Sequence, residues 1–217
     1  MPSGALPRPL ELLARTLLVG ALVLGLSHLA ARPVATGLLP AYRAMISLLD
    51  DSFVLTDIAI ARDGPNQVIR FRANLARPLD VKGTTLYPFG WRGIVPEGGM
   101  EVSYTLNGVL QYVSLTLIVV LAWPARRLNE LLLRLVLFVP VALVLLLIDV
   151  PSTVVAELWS GLEGMVDPNP LPRWMIWSRF LMGGGGLLLG FVAGALVIVI
   201  AARWVRPAWR PVAGTAP

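Results

Sequence analysis

The stretch FLMGGGGLLLGFVAGALVIV, residues 180–199, places four consecutive glycines, Gly183–Gly186, in an otherwise apolar segment of membrane-spanning length. Glycine is the poorest helix former after proline, so this many in one helix require a reason. Gly186, Gly190 and Gly194 recur at every fourth residue and therefore share one helix face. Small residues on one face let a second membrane helix approach closely, which predicts a helix-packing surface here.

Three kinds of neighbour fit this glycine face. The first is another span of the same chain, the second is a subunit or partner helix, and the third is a ligand that approaches bare backbone. The glycines that precede the repeat are expected at the outer end of the helix, where a loosened turn costs little. The run follows no predicted strand and precedes no Lys-Ser or Lys-Thr pair, so it is not a phosphate-binding loop.

The composition identifies the chain as an integral membrane protein. Of its 217 residues, 56% are hydrophobic and only 14% are charged, whereas a soluble domain carries about 25% charged residues. The first apolar segment resembles a signal peptide, but Arg32 and Pro33 directly after it make a poor cleavage site, so we expect a retained anchor. Four segments approach the length of a span: 12–31, 108–123, 131–148 and 180–201.

The segment between the first two spans changes its periodicity. Apolar residues recur at helical spacing over 33–51, which predicts an amphipathic helix either on the membrane surface or packed under the next domain. Residues 53–61 and 68–75 alternate around the turn sequence RDGPNQ, which predicts a β-hairpin. Two more strands are expected in DVKGTTLYPFGW and MEVSYTL. Four strands are too few for a large core, so we expect this sheet to rest on the membrane or on a partner.

The predicted fold is membrane α-helical: four transmembrane helices with a small antiparallel β extracytoplasmic segment and short amphipathic helices. One of these short helices is expected to begin at Ser152 or Thr153, which are good N-cap residues. In chain order the parts are an N-terminal tail and first span (1–31), an extracytoplasmic amphipathic helix and β segment (32–107), the second span (108–124), a cytoplasmic turn (125–130), the third span (131–149), an extracytoplasmic helix and loop (150–179), the fourth span (180–202) and a cytoplasmic tail (203–217).

The placement of arginine predicts the orientation. The net charge is +5, and Lys82 is the only lysine. In a membrane chain such an excess marks the cytoplasmic side and does not indicate nucleic-acid binding. We therefore expect a multi-pass protein of the bacterial inner membrane, with both termini in the cytoplasm and the β segment outside. The arginines on the cytoplasmic side are Arg8, Arg15, Arg126, Arg127, Arg203, Arg206 and Arg210.

Few side chains are suited to catalysis. The chain has no cysteine and a single histidine, His28, which excludes disulfides, thiolate metal sites and a cysteine nucleophile, and no cofactor or metal is predicted. Asp149 and His28 lie near the predicted outer face, where either could approach Arg179, but no nucleophile accompanies them. Arg134 and Arg179 lie near span ends, from which long side chains reach the lipid headgroups. The outer aspartates are not spaced as in an EF-hand loop.

The order of parts resembles a known group of proteins. A surface helix with LLPAYRAMISLL precedes the β segment, and MEVSYTLNGVLQYVSLTLIVVLAWP runs from a strand directly into a span. Over most of its length the chain is similar in layout to the small membrane proteins encoded beside exosortases, in particular the exosortase H-associated type. The resemblance implies an accessory role in sorting or processing exported proteins, and it carries no functional residue over to this chain. Exosortases resemble cysteine-dependent transpeptidases, so a chain without cysteine is not that enzyme.

The sequence thus favours a non-catalytic subunit or accessory protein of an inner-membrane complex. Reactive side chains are scarce, the glycine face suits helix association, and the edges of a small sheet can pair with a strand of another protein. The expected partners are the lipid bilayer and a membrane protein or a second copy of the chain. One alternative is a transporter or channel component, which would need polar groups near the midplane or an inverted repeat. The other is a membrane enzyme that uses Asp149 or His28.

Overall fold

Two helices much longer than a bilayer is thick organise the molecule. The computed structural model describes residues 9–81, 83–88, 99–125, 127–165 and 173–205. Helix α1 covers Pro9–Leu49 and helix α4 covers Leu128–Gly164. At 1.5 Å per residue they are about 60 and about 55 Å long, roughly twice the 30 Å of a bilayer hydrocarbon core. Each helix therefore has the length for one half within a membrane and one half beyond it.

Three helices are long and apolar enough to cross a membrane: α1, α4 and the helical run Trp174–Val205. A shorter apolar helical unit, Leu106–Ala122, lies between them in sequence. The four-span count predicted from the sequence depends on this shorter unit. The other elements are β1 (Phe53–Asp63), β2 (Asn66–Leu75), β3 (Leu79–Val81), β4 (Thr84–Leu86), β5 (Met100–Thr105), α2 (Leu106–Val109), α3 (Gln111–Ala122), α5 (Arg173–Phe180) and α6 (Gly186–Val205).

The surface helices predicted over 33–51 and from residue 152 onward are wrong as separate elements. Pro33 lies inside α1 and Pro151 lies inside α4, with helix on both sides of each. Proline disfavours a helix interior, but packing by neighbouring elements can outweigh that cost. In α1 the buried residues Ala35, Tyr42 and Ile46 continue one face past Pro33. That face supports the sheet, so the helix continues with it.

The sheet is antiparallel and has the order β1-β2-β5. The predicted hairpin of β1 and β2 is confirmed, with Asp63 opposite Asn66 at the turn. On β2 the inward residues Ile69, Phe71 and Ala73 are fully buried, as their alternation predicts. The prediction of one four-stranded sheet is wrong, because β3 and β4 pair with each other in a separate two-stranded sheet.

The sheet packs on the projecting halves of α1 and α4. One hydrophobic core contains Phe53 and Phe71 of the sheet, Ile46 of α1 and Leu158 of α4. The rings of Phe53 and Trp159 meet edge to face with centroids 5.6 Å apart. The two long helices therefore supply the core that the sheet lacks on its own, and whether the sheet also rests on the membrane or on a partner stays a prediction.

The membrane half is a bundle in which α3 contacts α1, α4 and α6.

Several predicted features lie outside the described residues. These are the N-terminal residues 1–8, the loop at 89–98, Lys82, Arg126, the connector at 166–172 and the tail from 206 onward.

Candidate functional site

The glycine face of α6 packs against α3 of the same chain. A β carbon at Gly186 would lie 2.1 Å from the ring of Tyr112, and one at Gly190 would lie 2.9 Å from the backbone oxygen of the same residue. At Gly194 it would lie 2.8 Å from the side chain of Val119. Real β carbons do not approach other atoms so closely, so a side chain at any of these positions would displace a neighbour, and at Gly190 that neighbour is backbone. A helix of the same chain, α3, is the neighbour that occupies this face.

The run of glycines also forms a kink that the sequence did not predict. A wide π turn, Leu181–Gly185, joins α5 to α6. Gly184 has φ 107°, a left-handed conformation that glycine adopts without strain. A β carbon at Gly185 would lie 2.5 Å from the ring of Phe180, whereas Gly183 faces open space. The expectation that residues 183–185 merely loosen a first turn therefore fits Gly183 alone.

A polar cluster lies where β5 meets α4. Tyr104 Oη donates a hydrogen bond to Asp149 Oδ2 at 2.8 Å, and Asp149 is buried. Burial and the neighbouring Asp149 carboxylate raise the pKa of Tyr104 well above its usual range, so the phenol keeps its proton. Ser152 Oγ donates to the Asp149 carbonyl at 3.1 Å and accepts from Trp177 Nε1 at 3.2 Å. The cluster joins the sheet to the bundle.

The predicted approach of Asp149, His28 and Arg179 to one another is not found. Asp149 is engaged by Tyr104, as described above. His28 lines a different cavity, of about 200 Å³, together with Gln111. Arg179 is exposed on α5. The arrangement does not place an imidazole beside the buried carboxylate, as an acid–base pair would require.

The sequence predicts that Arg134 reaches towards the lipid headgroups. This prediction is wrong, because the side chain is buried, with 1% of it exposed. Its guanidinium forms an ion pair with Glu130 and donates to the carbonyls of Trp123 at 2.8 Å and Val120 at 3.4 Å. The carbonyls at the end of a helix have no partner within the helix. Arg134 therefore caps α3 and holds the turn to α4.

Two aspartates that follow α1, Asp50 and Asp51, also stabilise the fold. Asp50 accepts hydrogen bonds from Ser52 N at 2.9 Å and from Trp159 Nε1 at 2.6 Å. Asp51 lies 3.6 Å from the guanidinium of Arg77. Within the part of the chain that the structure describes, no group of three or more His, Cys, Asp or Glu side chains could hold a metal ion. These carboxylates tie the end of α1 to α4 and the sheet.

Together these features define a membrane-embedded, mostly helical protein with three candidate spans and a small antiparallel sheet. Comparisons with protein-family models, with curated proteins and with solved structures give no match.

Proposed function

We propose that the chain is a non-catalytic membrane subunit whose sheet offers an open strand edge to a partner protein. The observation that carries this proposal is the position of β1. This strand has 11 residues and lies at the edge of the sheet, paired with β2 on one side. No other strand of the described residues pairs with its second side. Such an open edge recruits other strands through its free backbone groups, and proteins use such edges to bind extended segments.

The part of β1 most suited to pairing is its second half. The register with β2 shifts between Leu55 and Asp57, and Thr56 Oγ1 donates to the Arg72 carbonyl at 3.2 Å. This shift is a β-bulge, and a bulge hinders the pairing of a further strand with that part of the edge. From Asp57 to Asp63 the register continues without a further shift. We therefore assign the partner strand to this seven-residue portion, which is about the length of an average strand.

The edge is held in a fixed position relative to the spans. Trp159 of α4 contacts Phe53 at the start of β1 and donates to Asp50 at the end of α1. On the outer side of the sheet, Glu101 of β5 lies 2.8 Å from Arg70 and 3.2 Å from Arg72 of β2. A preorganised edge loses little conformational entropy on binding, which favours a role as a docking platform.

The membrane setting is part of the proposal. We infer four spans: the three long helical runs and, second in chain order, Leu106–Ala122, which is about 26 Å long and contacts the other three. The arginine distribution supports cytoplasmic termini and an outer sheet in a bacterial inner membrane. The resemblance in layout to exosortase H-associated proteins suggests a complex that exports or sorts proteins. The bond of Asp149 to Tyr104 favours a structural role for this residue over a catalytic one.

Single cysteines can test the proposal because the natural chain has none. Ala59→Cys and Ala61→Cys place a thiol on the outward face of β1, and Leu48→Cys places one on α1, where Leu48 is 79% exposed. A maleimide–benzophenone crosslinker is attached in intact native membranes and activated by light. We expect both β1 variants to give the same discrete adduct with one other protein, and Leu48→Cys to give none.

Two results would contradict the proposed edge. One is the absence of an adduct from both β1 positions. The other is the same set of adducts from Leu48→Cys, which would indicate random collisions in the membrane.

A further inference from the structure

A polar cavity lies between α1 and the beginning of the shorter apolar unit, Leu106–Ala122. It encloses about 200 Å³. Lipid chains offer no hydrogen-bond partners, so polar groups on the side of a membrane bundle need partners from elsewhere. The described residues that line the cavity with polar side chains are Ser27, His28, Asn107, Gln111 and Ser114.

Several hydrogen-bond donors of this cavity are available to a ligand. Among the described residues, the exposed side chains of His28, Asn107 and Gln111 have no hydrogen-bond partner. Each amide offers two N–H donors, and a neutral imidazole offers one. Ser27 Oγ and Ser114 Oγ are 2.6 Å apart and share one hydrogen bond, so the hydroxyl that accepts it keeps its own proton to donate. The cavity can therefore bind several oxygen atoms of one ligand.

Two arginines of α1 indicate that the cavity lies near the level of the lipid headgroups. Between Arg15 and Arg32 the helix has no Asp, Glu, Lys or Arg. The two arginines are 17 residues apart, or about 26 Å along the axis, close to the 30 Å of a bilayer hydrocarbon core. Arginines at the two ends of a span extend to the headgroups. His28 lies one turn, about 6 Å, inside the boundary that Arg32 marks.

The charge around the cavity favours an anion. Arg32 is exposed one turn beyond His28, and the two residues are about 40° apart around the helix axis. Residues 12–49 of α1 include no acidic side chain, and the described residues that line the cavity include no carboxylate. A guanidinium beside several neutral donors attracts a phosphate group and repels an ammonium group.

An apolar face of α1 continues from the cavity towards Arg15. Leu24 lines the cavity and is 58% exposed, and Leu17 is 65% exposed. Residues seven positions apart lie on nearly the same helix face, so the two leucines extend the face that carries the cavity. This open face fits the chains of a lipid, which a free phosphate does not have.

We propose that the cavity binds the phosphate group of an anionic phospholipid. The phosphate oxygens accept hydrogen bonds from the side chains of His28, Asn107 and Gln111, and the Arg32 guanidinium contributes the opposite charge. The acyl chains lie along the apolar face of α1. This site goes beyond the proposed partner edge and shares no residue with β1, so loss of one activity would leave the other intact.

Lipid binding to the purified full-length chain in dodecyl maltoside tests the site. Native mass spectrometry measures the dissociation constants of dioleoyl phosphatidylglycerol, which is anionic, and of dioleoyl phosphatidylethanolamine, which also carries an ammonium group. We expect the glycerol lipid to bind at least about fivefold more tightly, the effect of one arginine near a membrane surface. Equal binding of the two lipids, or tighter binding of the ethanolamine lipid, would overturn the proposal.

A water-soluble competitor distinguishes a lipid from a free phosphate as the ligand. Glycerol 3-phosphate in large excess has the same phosphate chemistry but no acyl chains. We expect it to leave the bound phosphatidylglycerol in place. Displacement of the lipid would assign the site to a free phosphate and would overturn the proposed occupant.

A matched pair of arginine variants locates the charge. Arg32→Gln is expected to reduce the preference for phosphatidylglycerol about fivefold. Arg43→Gln removes the same charge from an exposed position 11 residues further along α1 and is expected to keep the preference. A preference unchanged by Arg32→Gln, or lowered equally by Arg43→Gln, would overturn the proposed site.

Two further variants test the donors. His28→Ala and Gln111→Ala each remove a hydrogen bond to the phosphate and are expected to weaken the binding of both lipids about threefold. Both side chains are exposed, so the fold should persist by circular dichroism. Unchanged binding in both variants would overturn the assignment of the cavity. Should either variant misfold, the arginine pair decides the matter.

Discussion

Replacement of Gly190 by alanine tests whether the glycine face holds α6 against α3. The new β carbon would lie 2.9 Å from the backbone oxygen of Tyr112, whereas ordinary van der Waals contact begins at 3.4 Å. A backbone oxygen cannot rotate away, so the two helices must separate. Separation also stretches the hydrogen bond from Thr116 Oγ1 to the Gly190 carbonyl, which is 2.9 Å long.

The expected loss of stability is the sum of two unfavourable effects and one favourable effect. Overpacking of a close contact costs about 1–3 kcal/mol, and a hydrogen bond between membrane helices contributes about 0.6 kcal/mol. Alanine regains up to about 1 kcal/mol through its better helix propensity. We therefore expect Gly190→Ala to lower the free energy of unfolding by about 0.6–2.6 kcal/mol, and Gly190→Leu to lower it further.

Equilibrium unfolding in mixed micelles of dodecyl maltoside and sodium dodecyl sulfate measures this loss. The 7 tryptophans of the chain provide the fluorescence signal. Gly183→Ala is the matched control, because a β carbon there meets nothing within 4 Å, and its stability should be unchanged or slightly higher. Equal stability of Gly190→Ala and Gly183→Ala would refute the proposed role of the glycine face.

Three further substitutions can be compared in the same unfolding assay. Gly184→Ala forces alanine to φ 107° and should lower the free energy of unfolding by about 1–2 kcal/mol. An unchanged unfolding midpoint would show that the kink is dispensable. Tyr104→Phe removes the hydrogen-bond donor to buried Asp149 and should lower the free energy of unfolding by about 1–3 kcal/mol. The folded state raises the pKa of this phenol, so its contribution is present below about pH 10 and is lost as the pH rises further. A pH titration of the wild type should show this loss of stability, and Tyr104→Phe should show a smaller loss. Arg134→Met breaks the buried ion pair with Glu130 and should lower the free energy of unfolding by about 3–5 kcal/mol. Adding Glu130→Gln should restore part of this stability, and no recovery in the double variant would argue against the pair.

Local patterns were sufficient to predict much of the fold. The alternation of Ile69, Phe71 and Ala73 with arginines fixes which side of β2 is buried, because successive side chains of a strand point to opposite faces. Composition alone indicates a membrane protein, because 14% charged residues cannot cover a soluble surface. The spacing of Gly190 and Gly194 indicates close helix packing, although it does not name the neighbour.

The errors arose where distant contacts decide the local structure. Pro33 and Pro151 are ordinary signals of a helix end, yet both helices continue because the sheet buries their projecting halves. The recurrence of Ala35, Tyr42 and Ile46 at helical spacing was the available signal that α1 continues. Arg134 was misjudged because its acceptors are carbonyls of another helix, which no local pattern reveals.

The bond between Tyr104 and Asp149 could not be foreseen for the same reason. The two residues are 45 positions apart, and their contact depends on β5 lying beside α4. Likewise, the cavity between α4 and α6 combines residues from several elements. The sequence predicts the chemistry of each side chain but not which side chains share a cavity.

Hydrogen exchange of β1 tests the proposed partner edge most directly. Exchange is compared between the chain in native membranes and the chain purified in detergent, and it is read by mass spectrometry of peptides from β1 and β2. We expect amides between Asp57 and Asp63 to exchange more slowly in native membranes, because a partner strand pairs with them, whereas β2 exchanges equally in both. Identical exchange of β1 in the two samples would contradict the proposal that this edge docks another protein.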